Sequence, residues 1–147
     1  MPDILHRIGA TDASPDQVYQ AITTCDGVSA WMTPTTGEED LSGVLRHSFG
    51  EGKGSVDVEV VELRPAERVR WSVVDGPPQW LGTNITFDIK QDGDTTVVLF
   101  RHDGWAEPDE FMHHCSTKWG MFMLSLKMLV ETGTGRPVPD DVPIGNW

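Results

Sequence analysis

The stretch Pro108 to Gly133, PDEFMHHCSTKWGMFMLSLKMLVETG, decides how the rest of the chain is read. Its apolar residues Phe111, Cys115, Trp119, Phe122, Leu126 and Leu129 recur at spacings of three and four, which places them on one side of an α-helix. A long helix with one wide apolar stripe needs a broad apolar surface to lie on. The residues before it supply that surface, because between about Leu41 and His102 the pattern has period two, as strands do. One helix covering an antiparallel sheet, with its bulkiest residues near its start and middle, tends to enclose a hollow between the two layers.

Working back from the helix, Thr83–Lys90 and Thr95–His102 flank Gln91-Asp92-Gly93-Asp94, a strong hairpin turn. Val69, Trp71 and Val73 mark the strand before them, entered through Arg64-Pro65-Ala66-Glu67. Val56, Val58 and Val60 alternate with Asp57 and Glu59, and a Gly-Glu-Gly-Lys-Gly turn at 50–54 joins them to Leu45, His47 and Phe49. At the N-terminal end Ile4 to Ala10 alternates as a first strand, and Ser14-Pro15-Asp16 reads as a helix cap with proline in the first turn. That helix holds Val18, Tyr19, Ala21 and Ile22 and breaks near Asp26-Gly27; a second short helix over Val28 to Met32 is stopped by Pro34. Thr33 to Asp40 reads as a polar connector, Asp75 to Gly82 as a loop, and 134–147 as a surface tail. The resulting order of strand, two small helices, antiparallel strands and one long helix is an α+β arrangement.

At 147 residues the chain is long enough for one substantial core, so residues 1–133 are expected to form a single domain. Hydrophobic residues at 38% and charged ones at 23% fit a globular chain, and no apolar run approaches the roughly 20 residues of a membrane span. The start, MPDILHRIGA, shows no basic region followed by an apolar core, which predicts a cytoplasmic location. A formal net charge of −12 repels polyanions, excludes nucleic acid as an expected partner, and favours neutral or cationic ligands over anionic ones. Cys25 and Cys115 match no zinc or redox spacing and read as free thiols.

Several stretches then carry a resemblance. They are the run Ser14 to Thr23, Trp31 after it, Glu62-Leu63-Arg64-Pro65 with Arg68-Val69-Arg70-Trp71, Thr83 to Phe87, Thr95 to Val98, His102-Asp103-Gly104-Trp105 and Lys118-Trp119-Gly120, in that order. With these residues the chain resembles the START-like or SRPBCC superfamily, and within it the group homologous to the activator of the heat-shock-protein-90 ATPase. One departure is the segment Glu38 to Gly43, where the group usually has paired glycines and this chain has one. The resemblance implies a helix-grip fold, a curved antiparallel sheet wrapped around the C-terminal helix. It also implies a cavity that in the superfamily holds lipids, sterols, polyketides or other apolar molecules, and in some members carries cyclase, dehydratase or hydrolase chemistry.

Strand parity names the residues that face such a cavity. If Arg101 points to water, then Val98, Phe100 and His102 face the helix; likewise Ile85, Phe87 and Ile89 point in while Asn84, Thr86, Asp88 and Lys90 face out, and Val69, Trp71 and Val73 point in. The candidate lining is Trp31, Trp71, Phe87, Phe100, His102, Trp105, Phe111, Cys115, Trp119 and Met123, which could equally pack as core. Trp80 and Trp105 fall in loops, where a role at a cavity rim explains them better than packing does. His102 is the candidate catalytic residue, since a cavity imidazole can orient a carbonyl or move a proton, and it could equally be a satisfied strand-end histidine. Glu110, His113 and His114 have metal-like spacing, but a metal would need further ligands from elsewhere and His113 and His114 lie off the apolar stripe, so no metal site is expected, nor is a cofactor. Cys115 on the stripe reads as a buried, inert thiol.

The sequence has no phosphate loop, dinucleotide fingerprint, nucleophile elbow or HExxH pair. The leading expectation is therefore a module that binds a small hydrophobic or aromatic molecule. A cavity enzyme using His102 as proton carrier is the alternative. A chaperone partner acting through its acidic surface ranks behind both, because the eukaryotic activators carry a separate N-terminal domain not seen in this chain.

Overall fold

The computed structural model describes residues 2–50 and 52–145. Glu51 of the glycine-rich turn and Asn146 and Trp147 of the tail lie outside the described residues. In chain order the elements are β1 (Ile4–Thr11), α1 (Pro15–Thr23), α2 (Cys25–Ser29), β2 (Thr35–Gly37), β3 (Val44–Ser48), β4 (Ser55–Arg64) and β5 (Arg68–Asp75). A single 3-10 turn (Pro78–Trp80), β6 (Asn84–Asp92), β7 (Thr95–Asp103) and α3 (Glu110–Thr132) complete it. The strands make one seven-stranded sheet in the order β1-β7-β6-β5-β4-β3-β2, antiparallel at every pairing. Two register shifts between β4 and β5 mark bulges, which bend and twist the sheet. Its concave side closes around α3, which is the α+β helix-grip arrangement.

Local chemistry fixes the helices. The Ser14 hydroxyl accepts from Gln17 N at 3.1 Å and the Gln17 side chain accepts from Ser14 N at 2.7 Å, a reciprocal cap on α1 with Pro15 in its first turn. Asp109 caps α3 by accepting from Met112 N at 2.9 Å. α3 ends at Gly133, whose φ of 89° suits glycine far better than other residues. Met112, Cys115, Trp119, Phe122, Met123 and Leu126 of α3 are buried, while Phe111 and Leu129 at its ends are partly so. Burying a large side chain of this kind contributes roughly 1.5–3 kcal/mol.

Three local expectations change. The break between the small helices falls at Thr24, in extended backbone, and α2 contains Asp26 and Gly27 instead of starting at Val28; the Thr24 hydroxyl accepts from Gly27 N at 2.9 Å and so caps α2. The supposed connector Thr33 to Asp40 contains β2, an edge strand paired with β3 through Thr35↔His47. Its threonines are β-branched and suit a strand, and Thr33 and Thr35 are buried, but no hydrophobic alternation announces it. Thr86 is buried on the outer face, where it lies in register between Arg70 and Arg101, whose long side chains can cover it.

The ends of the sheet are also specified. At the β1 edge Lys127 Nζ donates to Gly9 O at 2.6 Å and to Glu131 at 2.6 Å, and Glu131 accepts from Thr11 N at 2.8 Å. The tail is tied to the body through Val138 N to Met32 O at 2.9 Å, Arg136 N to Ser125 Oγ at 2.8 Å, and an ion pair between Lys118 and Asp141. Among the described residues no helix is long and apolar enough to cross a membrane.

Candidate functional site

Strand alternation on β5, β6 and β7 turns Trp71, Phe87, Phe100 and His102 toward α3, which meets them with Trp119. The rings form one continuous surface. Trp71 meets Phe87 at 5.1 Å between centroids, Phe87 meets Phe100 at 5.4 Å, and Phe100 meets Trp119 at 4.5 Å. Trp31 joins from the side, 6.2 Å from Phe87 and 6.5 Å from Phe122, with its indole N–H donated to Ala21 O at 2.8 Å. The connections after β5 and β7 carry Trp80 and Trp105 over the far end. Both rings pack against His102, at 4.7 and 4.9 Å, and Trp80 stacks on Trp119 at 6.0 Å. Phe111 lies 6.3 Å from Trp105, and Cys115 and Met123 are buried within the same cluster.

His102 is fully buried and both its ring nitrogens are bonded. Trp119 Nε1 donates to Nδ1 at 3.1 Å, so Nδ1 carries the lone pair and Nε2 the proton. The Thr83 hydroxyl donates to Trp80 O at 2.6 Å and is thereby left to accept from His102 Nε2 at 2.8 Å. Burial pushes the imidazole down to about 3, so it is neutral at ordinary pH.

His47 on β3 marks the other end, 5.2 Å from Trp71. Thr35 Oγ1 donates to Thr33 O at 2.9 Å and accepts from His47 Nδ1 at 2.9 Å, which leaves Nε2 as a bare acceptor. Burial lowers this imidazole to about 4, against the opposing pull of Asp57. His47 Nε2, Trp80 Nε1 and Trp105 Nε1 are buried without a hydrogen-bond partner in the protein. Burial pushes the Cys115 thiol up to about 12, against a weaker opposing pull from the Trp80 indole, whose only neighbouring acceptor among the described residues is this poorly accepting sulfur.

All ten proposed lining residues thus lie together around the sheet and α3, with Trp31 at the side against Phe87 and Phe122 and Phe111 partly buried at the helix start. Trp80 and Trp105 are folded inward at 8% and 1% exposure and cover His102. Two hollows, of about 380 and about 400 Å³, lie elsewhere: one beside Leu5, Leu99 and Arg101, the other between Gln17, Gln20 and Leu129. His47 was not among the candidates, although its place beside Leu45 and Phe49 in the alternation already turned it inward. Among the described residues no three His, Cys, Asp or Glu side chains come together as a metal site. His113 is bonded to Asp109 O at 2.8 Å and His114 stacks on Phe111 at 6.1 Å.

Comparison with known proteins bears on this geometry. Residues 12–131 match the family described as Activator of Hsp90 ATPase homolog 1-like protein. The chain is 39% identical to the Aha1 protein from Colwellia psychrerythraea, whose solution structure is that of a dimer, with a TM-score of 0.83 over 92% of this chain and 100% of that one. CalU16 from Micromonospora echinospora, at 20% identity and a TM-score of 0.78, covers 97% of this chain and 73% of its own, and shares the fold. SSP2350 from Staphylococcus saprophyticus does so at 12% identity, with a TM-score of 0.74 over 91% and 95% of the two chains. No curated protein matches.

Proposed function

The chain belongs to the Activator of Hsp90 ATPase homolog 1-like family, and from that premise we propose that it binds a small hydrophobic or aromatic molecule between the concave face of the sheet and α3. The observation that carries the reading is the aromatic surface running from Trp71 through Phe87 and Phe100 to Trp119. Its far end is covered by rings borne on loops and not on strands. Strands and helix give a rigid wall, and loops are the parts of a fold that move at least cost. Access requires Trp80 and Trp105 to swing aside and then to close again over the bound molecule beside His102. Trp31, Phe111, Cys115 and Met123 extend the apolar lining.

Acid–base turnover at His102 is the weaker reading. Both its nitrogens are bonded and its imidazole stays neutral, so it gives or takes a proton only by breaking a bond to Thr83 or Trp119. Self-association belongs to the favoured reading, by likeness to the Colwellia protein, and so does a cytoplasmic setting that keeps Cys25 and Cys115 as thiols.

Native mass spectrometry tests the proposal. The expected result is a mass above 16.3 kDa, or above its double, that falls to the bare chain under denaturing conditions. A bare mass, together with tryptophan emission that no apolar probe alters, overturns it.

A further inference from the structure

Resting on that reading of the site, we infer that its ligand is an uncharged, apolar-bodied molecule with a hydroxyl donor at the β3 end and a carbonyl-type acceptor at the loop end. The three unpartnered polar atoms are of two kinds, at two ends. His47 Nε2 is an acceptor, because the only ring proton sits on Nδ1 and is given to Thr35. Trp80 Nε1 and Trp105 Nε1 are donors, on rings 6.4 Å apart. Trp119, on the same cluster, has its N–H donated to His102 and Trp31 gives its own to Ala21 O, whereas the two loop indoles are buried without such a bond.

Burying a polar group without a partner is costly, and a bound group of complementary type removes that cost. A hydroxyl answers the imidazole lone pair; a carbonyl oxygen, with two lone pairs, answers indole N–H groups. Charge is disfavoured in either sign. The buried polar side chains are Thr33, Thr35, His47, Thr83, Thr86, Thr96, His102 and Ser125, so among the described residues no buried carboxylate, ammonium or guanidinium stands ready to pair with a ligand ion. Between the two ends lies the Trp71, Phe87, Phe100 and Trp119 surface, which suits an elongated fused-ring body.

The test is a set of naphthalenes of nearly one shape, titrated against the full chain by tryptophan emission. An ethylnaphthalene offers neither group, the matching acetylnaphthalene an acceptor, the ethylnaphthol a donor, the acetylnaphthol both, and a hydroxynaphthoate a charge. Each complementary group is expected to tighten binding roughly tenfold, so that the acetylnaphthol binds best and the naphthoate worst of the oxygen-bearing probes. His47→Phe should abolish the hydroxyl advantage and keep the carbonyl one; the double variant Trp80→Phe with Trp105→Phe should do the reverse. Equal binding of all the naphthalenes overturns this inference while leaving apolar binding intact. Failure of every probe, the ethylnaphthalene included, removes the binding reading itself and this inference with it.

Discussion

His102 and His47 stand at opposite ends of one aromatic surface, both buried and both held neutral, and the protein treats them differently. His102 is bonded at both nitrogens and enclosed by Trp80, Trp105 and Trp119. His47 is bonded at one nitrogen, and its other faces the interior bare. A buried polar group that the fold satisfies holds the fold in one arrangement. One left bare lowers stability and is available to whatever the interior admits. The same contrast separates the tryptophans, since Trp119 and Trp31 donate their N–H groups within the protein while Trp80 and Trp105 do not.

The largest expected effect is on stability. His102→Phe leaves the Trp119 N–H unpaired and forces a bulkier ring among three indoles, and should cost about 3 kcal/mol in urea unfolding. His47→Phe removes the bare Nε2 together with one bond, to a Thr35 hydroxyl that still donates to Thr33 O, and should cost only about 1 kcal/mol. Equal losses would break the contrast.

Acid sharpens it next. Both histidines take up a proton near pH 6.5 when unfolded but only near about 4 (His47) and about 3 (His102) when folded. The unfolded chain therefore binds more protons below pH 6.5, and each histidine removes roughly 1.4 kcal/mol of stability per pH unit of acidification. The share of His47 ceases near pH 4, and that of His102 continues toward pH 3. Relative to the parent, His47→Phe should lose about 2 kcal/mol less between neutrality and about pH 5; parallel pH profiles would show that His47 charges freely in the folded protein.

The smallest effect concerns the indoles. Trp119→Phe should cost about 1 kcal/mol more than Trp80→Phe, because the former deletes a full N–H···N bond to His102 and the latter at most a weak contact with the Cys115 sulfur. A reversed order, measured by thermal unfolding, would mean that the Trp80 N–H has a partner after all.

Much of this was legible in the chain. The stripe Phe111 to Leu129 fixed the long helix, and parity on β5, β6 and β7 correctly turned Trp71, Phe87, Phe100 and His102 inward, since period-two alternation is a direct geometric consequence of the pleat. The strand β2 was hidden because an edge pair of threonines needs no hydrophobic alternation. The small-helix boundary was misplaced because Thr24 serves two helix ends at once, whereas Asp26-Gly27 only looks like a breaker. Which histidine nitrogen is bare was beyond reach, because it depends on Thr35 and Thr83, whose hydroxyls are directed by the carbonyls of Thr33 and Trp80. Hydrogen-bond direction of that kind is set by tertiary neighbours and leaves no period in the sequence.

The fastening of β1 has a consequence for how molecules of this chain can meet. With Gly9 O and Thr11 N already taken by Lys127 and Glu131, and with the opposite border of the sheet only three residues long, neither margin offers a long row of free peptide groups on which another chain could template itself. Pairing of another strand is thereby obstructed along the C-terminal half of β1 and given little length at β2, which favours association through apposed side chains over strand-to-strand templating.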